Sequence, residues 1–182
     1  MAILKIARMG HPVLFHQAQP VSNPSAPEIR RLVADMIETM EDAPGAGLAA
    51  PQVHVSLRIF VFRVRRERTM GEAQDQVVET TVMINPTLQF PDDDIRPSWE
   101  GCLSIPGLRA AVPRHWRVRY SGGDCDGNIH AREATGFHAA VVQHEYDHLE
   151  GILYPMRITD FTEFGFTDEY QRAAAAAQAS RS

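Results

Sequence analysis

Apolar residues first recur at helical spacing in one early stretch: Ile29, Leu32, Val33, Met36, Ile37 and Met40 fall on a single face of a 3.6-residue period. Just upstream, Ser25 and Glu28 have capping-box spacing and Pro27 suits a first turn. An amphipathic helix is therefore predicted from near Ser25 to a stop at Pro44-Gly45. The pattern then changes to short β-branched and aromatic runs. LRIFVFRV (57–64), VVETTVMI (77–84), WRVRY (116–120) and NIHAREAT (128–135) read as strands, with Asp126-Gly127 as turn chemistry between the last two. The polar run RRERTMGEAQDQ (65–76) reads as an exposed loop.

A second helix is predicted over 136–149, where Phe137, Ala140, Val141, His144 and His148 share a stripe. Val142 lies off that stripe, so this helix is expected to be covered on more than one side and to sit centrally. From Asp160 onward the tail ends in AAAAAQASRS, a helix fraying into solvent. Helix, strands and helix in this order predict an α+β fold: mixed or antiparallel sheets wrapped around the central helix, with an N-terminal amphipathic helix and a C-terminal helix. No repeat or interior linker divides residues 1–182, so a single domain is expected.

Composition narrows the function classes. A chain of 182 residues that is 44% hydrophobic and 23% charged can bury a sizeable core without crosslinks. Its net charge of -5, with both signs interspersed, argues against a nucleic-acid binder, which needs a clustered basic face. No run suits a signal-peptide core or a membrane span, which favours a soluble protein of the cytosol with no membrane partner. The only cysteines, Cys102 and Cys125, lack the spacing of a disulfide framework or a structural zinc site. A reduced thiol is thus free for chemistry.

His144-Glu145-Tyr146-Asp147-His148 is an HExxH sequence lying where the apolar stripe independently predicts a helix. Four residues advance a helix by about 6 Å and slightly more than a turn, so both imidazoles leave one face close enough to share an ion. Glu145 is offset around the helix, which suits a carboxylate that handles protons without being a ligand. Asp147 and Glu150 read as surface acids or as acceptors for the imidazoles' second nitrogens. A catalytic site normally takes a third protein ligand. No His or Cys follows His148, which closes the HExxHxxGxxH route; Asp168 or Glu169 on a later helix remains open as a carboxylate ligand, the pattern of one zinc peptidase class. His54, Cys125 and His138 read as structural.

Three segments, GAGLAAPQ (45–52), EGCLS (100–104) and QHEYDH (143–148), in this order and separation, resemble the signature motifs of the peptide deformylase family. The resemblance extends to ILKIARMGHPVL at the start and to INPTL before the middle motif. It implies Cys102, His144 and His148 as metal ligands and Glu145 as the catalytic acid/base. Gln52 and the Leu103 backbone N–H would be donors to a developing oxyanion. It also implies a Gly47 backbone that pairs with substrate, Ala46 and Ala140 bordering the methionine pocket, and Glu100 and Val141 as further substrate-binding residues. Arg109 reads either as a substrate contact or as a solvated surface arginine. Ala46 and Ala140 stand where many relatives carry larger side chains, so a roomier methionine pocket is expected.

The activity implied is removal of the formyl group from the N-terminal formylmethionine of nascent polypeptides in a bacterial cytoplasm. Ferrous iron is the implied cofactor, with zinc, nickel or cobalt as replacements. Some relatives contact the ribosome through the C-terminal helix, and the sequence does not read out whether this chain does; a metal-holding but non-catalytic relative is the bland alternative. Nothing in the sequence reads out the oligomeric state.

Overall fold

The structure, a computed structural model, describes residues 2–43, 45–69 and 77–179. Among these it is a mixed α+β arrangement of two antiparallel sheets and three α-helices. Helix α1 spans Pro27–Asp42 and buries Ile29, Val33, Met36 and Met40 beneath the first sheet. It starts differently from the expectation. Pro27 is the first helical residue, Ala26 is the cap, and no side chain caps the end, because the Ser25 hydroxyl turns instead to Asn23 Oδ1 at 2.9 Å. Its buried face is also partly polar for a reason. Asp35 and Thr39 accept the backbone N–H groups of Ala2 and Leu4 at 2.8 and 2.9 Å, strapping the N-terminal segment across the helix. Ala43 follows as the C-cap, and Pro44, part of the expected stop, lies outside the described residues.

The first sheet runs in the order β1 (Gly47–Ala49), β2 (Ile59–Val64), β3 (Val78–Gln89), β6 (Arg117–Gly123), β7 (Ile129–Thr135). Strand β3 continues past the expected end at Ile84. Asn85 adopts φ 50 and its amide clamps both backbone groups of Val21, at 2.8 and 2.9 Å, so the strand bends without ending and passes from β2 to β6. The second sheet, β4 (Ile95–Cys102), β5 (Ile105–His115) and β8 (Phe164–Phe166), was not expected. Pro97, Pro106 and Pro113 and two glycines break its alternation in sequence, yet prolines are tolerated where no ladder donor is needed. Of the expected loop 65–76, residues 66–68 form a short 3-10 turn and 70–76 lie outside the described residues.

Helix α2 spans Gly136–Leu149 and packs against strands of both sheets. Its burial is not confined to one stripe: His138, Ala139, Val142, Gln143 and Leu149 are as hidden as the predicted face. Its end is set by Gly151 at φ 71. The N–H groups of Gly151 and Ile152 return to the carbonyls of His148 and Asp147 at 3.4 and 2.9 Å, closing the last turn directly behind the histidine pair. The tail differs from a simple fraying helix, since β8 precedes α3 (Thr167–Ala179). No helix among the described residues is long and apolar enough to cross a membrane.

His138, expected to be structural, lies on α2 with Nε2 2.9 Å from the Tyr120 hydroxyl and its ring stacked on Phe62. Burial, aided by the charge of Arg132, pushes its pKa down from 6.5 to about 4. Because the unfolded chain takes up this proton first, stability is lost as pH falls from 6.5 toward 4, by at most about 3 kcal/mol, and the loss is complete below that window. His138→Gln should therefore show a shallower decline of Tm with acid across this window than the unaltered chain; parallel declines would assign the acid sensitivity elsewhere.

Candidate metal centre and active site

The hairpin β4–β5 delivers the cysteine. Its register slips between Gly101 and Cys102, where Cys102 pairs with Ile105, and such a bulge re-aims a side chain. The Cys102 Sγ consequently lies 3.3 Å from His148 Nε2. One ligand atom each from Cys102, His144 and His148 fall within 4.8 Å of one another. Asp168 and Glu169, the other ligand candidates, instead pair with Arg172 at 2.8 and 2.6 Å on an exposed face of α3, so the carboxylate alternative is overturned.

The histidines are held from behind by charge. Glu100 Oε2 receives His144 Nδ1 at 2.8 Å, which leaves the ring's Nε2 lone pair for the cluster. Glu100 also accepts Arg114 Nε and Nη2 at 2.6 and 2.9 Å, and Arg114 Nη1 donates to Asp147 at 2.6 Å. Burial works against charge on Glu100, but the Arg114 hydrogen bonds prevail and hold its pKa at about 2. Glu100, expected on the substrate side, does line the cleft, but its carboxylate is committed to Arg114 and His144. Asp147 is no surface acid: it is buried and shared by Arg114 and Arg157. Glu150 bonds Arg58 and Gln17, away from the imidazoles.

Two observations fit this donor set to a cation. The donors are one thiol and two imidazoles, a set suited to zinc or iron, and they converge from the β4–β5 hairpin and α2. Burial disfavours a charged ring at both histidines. Hydrogen bonds with Cys102 and Glu100 reverse this at His144 and raise its pKa, whereas at His148 burial prevails and lowers it. The two rings are thus driven in opposite directions. Finally, Glu145 Oε2 and His148 Nδ1 are buried with no hydrogen-bond partner among the described residues, an expensive state in a closed protein interior.

The remaining expected residues share one cleft of about 500 Å³. Gln52, Leu103, Cys102, His144 and Glu145 line it, together with Ala46, Gly47, Ala140, Val141 and Arg109. The Gln52 amide is oriented by the Ala49 N–H, which donates to Oε1 at 2.9 Å, and its Nε2 faces Cys102 Sγ at 3.4 Å and Ser104 Oγ at 3.2 Å. Burial raises the Glu145 carboxyl to about 7. Gly47 has a role the sequence did not reveal: a Cβ there would strike the Glu145 side chain, with Cγ and Cδ both at 2.6 Å. Sequence reasoning also missed Arg114, Arg157 and Ser104, for which no local pattern exists; only the buried partners show them.

If Glu100 holds the His144 ring, Glu100→Gln should lower zinc affinity by about 10- to 100-fold in competition with a chromophoric chelator. Unchanged affinity in a folded variant would show that the ring is held by other means.

A sequence profile for the family described as polypeptide deformylase matches residues 3–163. The chain is 51% identical over 166 residues to peptide deformylase 2 of Ralstonia nicotianae, which covers 91% of this chain and 93% of that protein. It is 49% identical over 163 residues to peptide deformylase 1 of Bordetella pertussis, covering 90% and 92%. In three dimensions it resembles the Met-Ala-Ser-bound crystal structure of a class I type b peptide deformylase from Acinetobacter baumannii, with TM-score 0.78, 33% identity and coverage of 86% and 98%. The Ehrlichia chaffeensis peptide deformylase in complex with actinonin gives TM-score 0.81, 33% identity and coverage of 90% and 92%. With a profile match over most of its length and relatives near half identity on both sides of the cysteine and histidine segments, this chain belongs to the polypeptide deformylase family.

Proposed function

We propose that this chain hydrolyses the formyl group from the N-terminal formylmethionine of nascent polypeptides in a bacterial cytoplasm, acting as a single catalytic domain with α2 as the helix around which both sheets fold. The observation that carries this reading is the convergence of Cys102, His144 and His148 within 4.8 Å, with Cys102 and His144 lining one cleft together with Glu145 and Gln52. The bound Met-Ala-Ser of the Acinetobacter protein is what such a reaction leaves from a formylated tripeptide.

Cys102, His144 and His148 would hold the metal, with ferrous iron as the assigned ion and zinc, nickel or cobalt as replacements; when bound, it supplies a Lewis acid that acidifies water and polarises a carbonyl oxygen. Glu145 accepts the proton of the attacking water and passes it to the departing amine as the C–N bond of the formamide breaks, giving formate and a free N-terminus. A carboxyl held at about 7 by burial is matched to both halves of that transfer. Gln52 Nε2 and the Leu103 N–H donate to the formyl oxygen as it gains charge, and Gln52 meets it already oriented by Ala49.

The substrate chain is held in extended form along β1. That strand is an edge of its sheet, bonded to β2 alone, so its other side can add a strand of peptide. The methionine side chain enters between Ala46, just before β1, and Ala140 and Val141 on α2, where the small residues leave width.

Formate release from formyl-Met-Ala-Ser, with no cleavage of internal peptide bonds, is the expected activity, and Glu145→Ala should reduce kcat by about 10²- to 10⁴-fold. Full activity in that variant would remove the proton-transfer assignment, and scission within unformylated peptides would identify a peptidase instead. For the pocket, Ala46→Ile should sharpen preference for methionine over bulkier first residues, by about tenfold in kcat/KM; an unaltered preference would mean that Ala46 does not set the pocket width.

A further inference from the structure

Residues 164–179 lie beyond the stretch matched by the family profile, which ends at residue 163, yet they close one side of the cleft. Helix α3 buries no residue, so packing into the core is not what keeps it against the body. Two attachments do. Strand β8 extends the second sheet, pairing Phe164, Gly165 and Phe166 with Ala110, Arg109 and Leu108. Tyr170 then folds back to meet the Trp99 ring edge-on, with centroids 4.8 Å apart. Gly165 makes room for that return, since a Cβ there would lie 3.2 Å from the Tyr170 ring. The Tyr170 hydroxyl makes only a long contact, 3.4 Å, to the Thr162 carbonyl, so the ring provides the brace.

Trp99 is 41% exposed, more than a ring placed for burial alone would be. It also carries the Arg109 guanidinium, whose Cζ sits 4.8 Å from the ring centroid. Tyr170, Trp99 and Arg109 thus form one continuous stack from α3 to the cleft. Arg109 Nε is buried there with no hydrogen-bond partner among the described residues. On α3, Thr167 and Gln171 are four residues apart, share a helix face, and line the same cleft as Cys102 and Glu145.

We infer that β8 and α3 form a wall of the substrate cleft that grips the peptide beyond its formylmethionine: Gln171 donates a hydrogen bond to a carbonyl oxygen of the second or third residue, and Tyr170 is a positioning residue that acts through Trp99 to fix Arg109, the substrate contact that the family resemblance implies. This rests on the deformylase reading above. It adds to the residues of the family motifs, which meet the formyl group, a segment outside the profile that borders the downstream peptide together with Arg109.

The test compares formate release from the C-terminal amides of formyl-Met-Ala and formyl-Met-Ala-Ser, which differ in length but not in charge. The unaltered chain should prefer the longer peptide. Ending the chain after Glu163 should erase about tenfold of that preference, mostly through KM, as expected for lost hydrogen bonds made alike in ground and transition states. Tyr170→Ala and Gln171→Ala should each lose part of it. Tyr170→Phe, which keeps the ring, should retain it, as should Arg172→Ala on the other face of the helix. A chain ended after Glu163 with undiminished preference, or Tyr170→Phe behaving like Tyr170→Ala, would overturn the inference. Formate released equally from both peptides by the unaltered chain overturns the inference alone, and no formate from either overturns the deformylase reading with it.

Discussion

One buried guanidinium joins the hairpin that carries the cysteine to the helix that carries the histidines. Arg114, on β5, holds Glu100 on β4 with two bonds and Asp147 on α2 with a third, at 2.6 to 2.9 Å, and Arg157 closes the far side of Asp147 at 2.7 Å. Taking such charges out of water is costly, and breaking the set by removing one member costs about 3 to 5 kcal/mol because the others are left unpaired. The network therefore acts less as a source of net stability than as a lock. Neither sheet nor helix can slide by a residue without stranding a charge.

That lock decides the chemistry of the site. Two guanidiniums and two carboxylates balance one another, so the network lends the cleft no surplus positive charge. Glu100 spends its remaining lone pair on His144 Nδ1, fixing which nitrogen points inward. Gly47 completes the arrangement from the opposite sheet. The same residue offers a strand edge to the cleft and the empty volume into which the Glu145 side chain extends.

The parts of this site legible in the sequence are those with local periodicity. His144, Glu145 and His148 could be placed on one helix because the apolar stripe around them is itself helical, and Gly151 ends that helix for backbone reasons that act over a few residues. The amphipathic α1 was legible in the same way, although its cap was not: Ser25 has the right spacing but a better partner in Asn23. The β4–β5 hairpin was illegible, because its prolines and glycines erase the alternation by which strands are recognised. What pointed to Cys102 was a set of three linked motifs and not any periodicity around the cysteine.

By itself, then, the sequence determined the helix that presents two imidazoles and a carboxylate, the family motifs, and the small residues along the cleft. The motifs pointed to Cys102 as the residue that meets them; the tertiary structure alone decided that Asp168 and Glu169 are spent on Arg172, that Glu100 and Asp147 are buried partners of Arg114, and that the tail returns to the cleft through Tyr170. The physical reason is range. Helical period and turn chemistry act over a few residues and leave a mark in the local pattern, whereas the pairing of a buried charge depends on which distant strand is brought beside it.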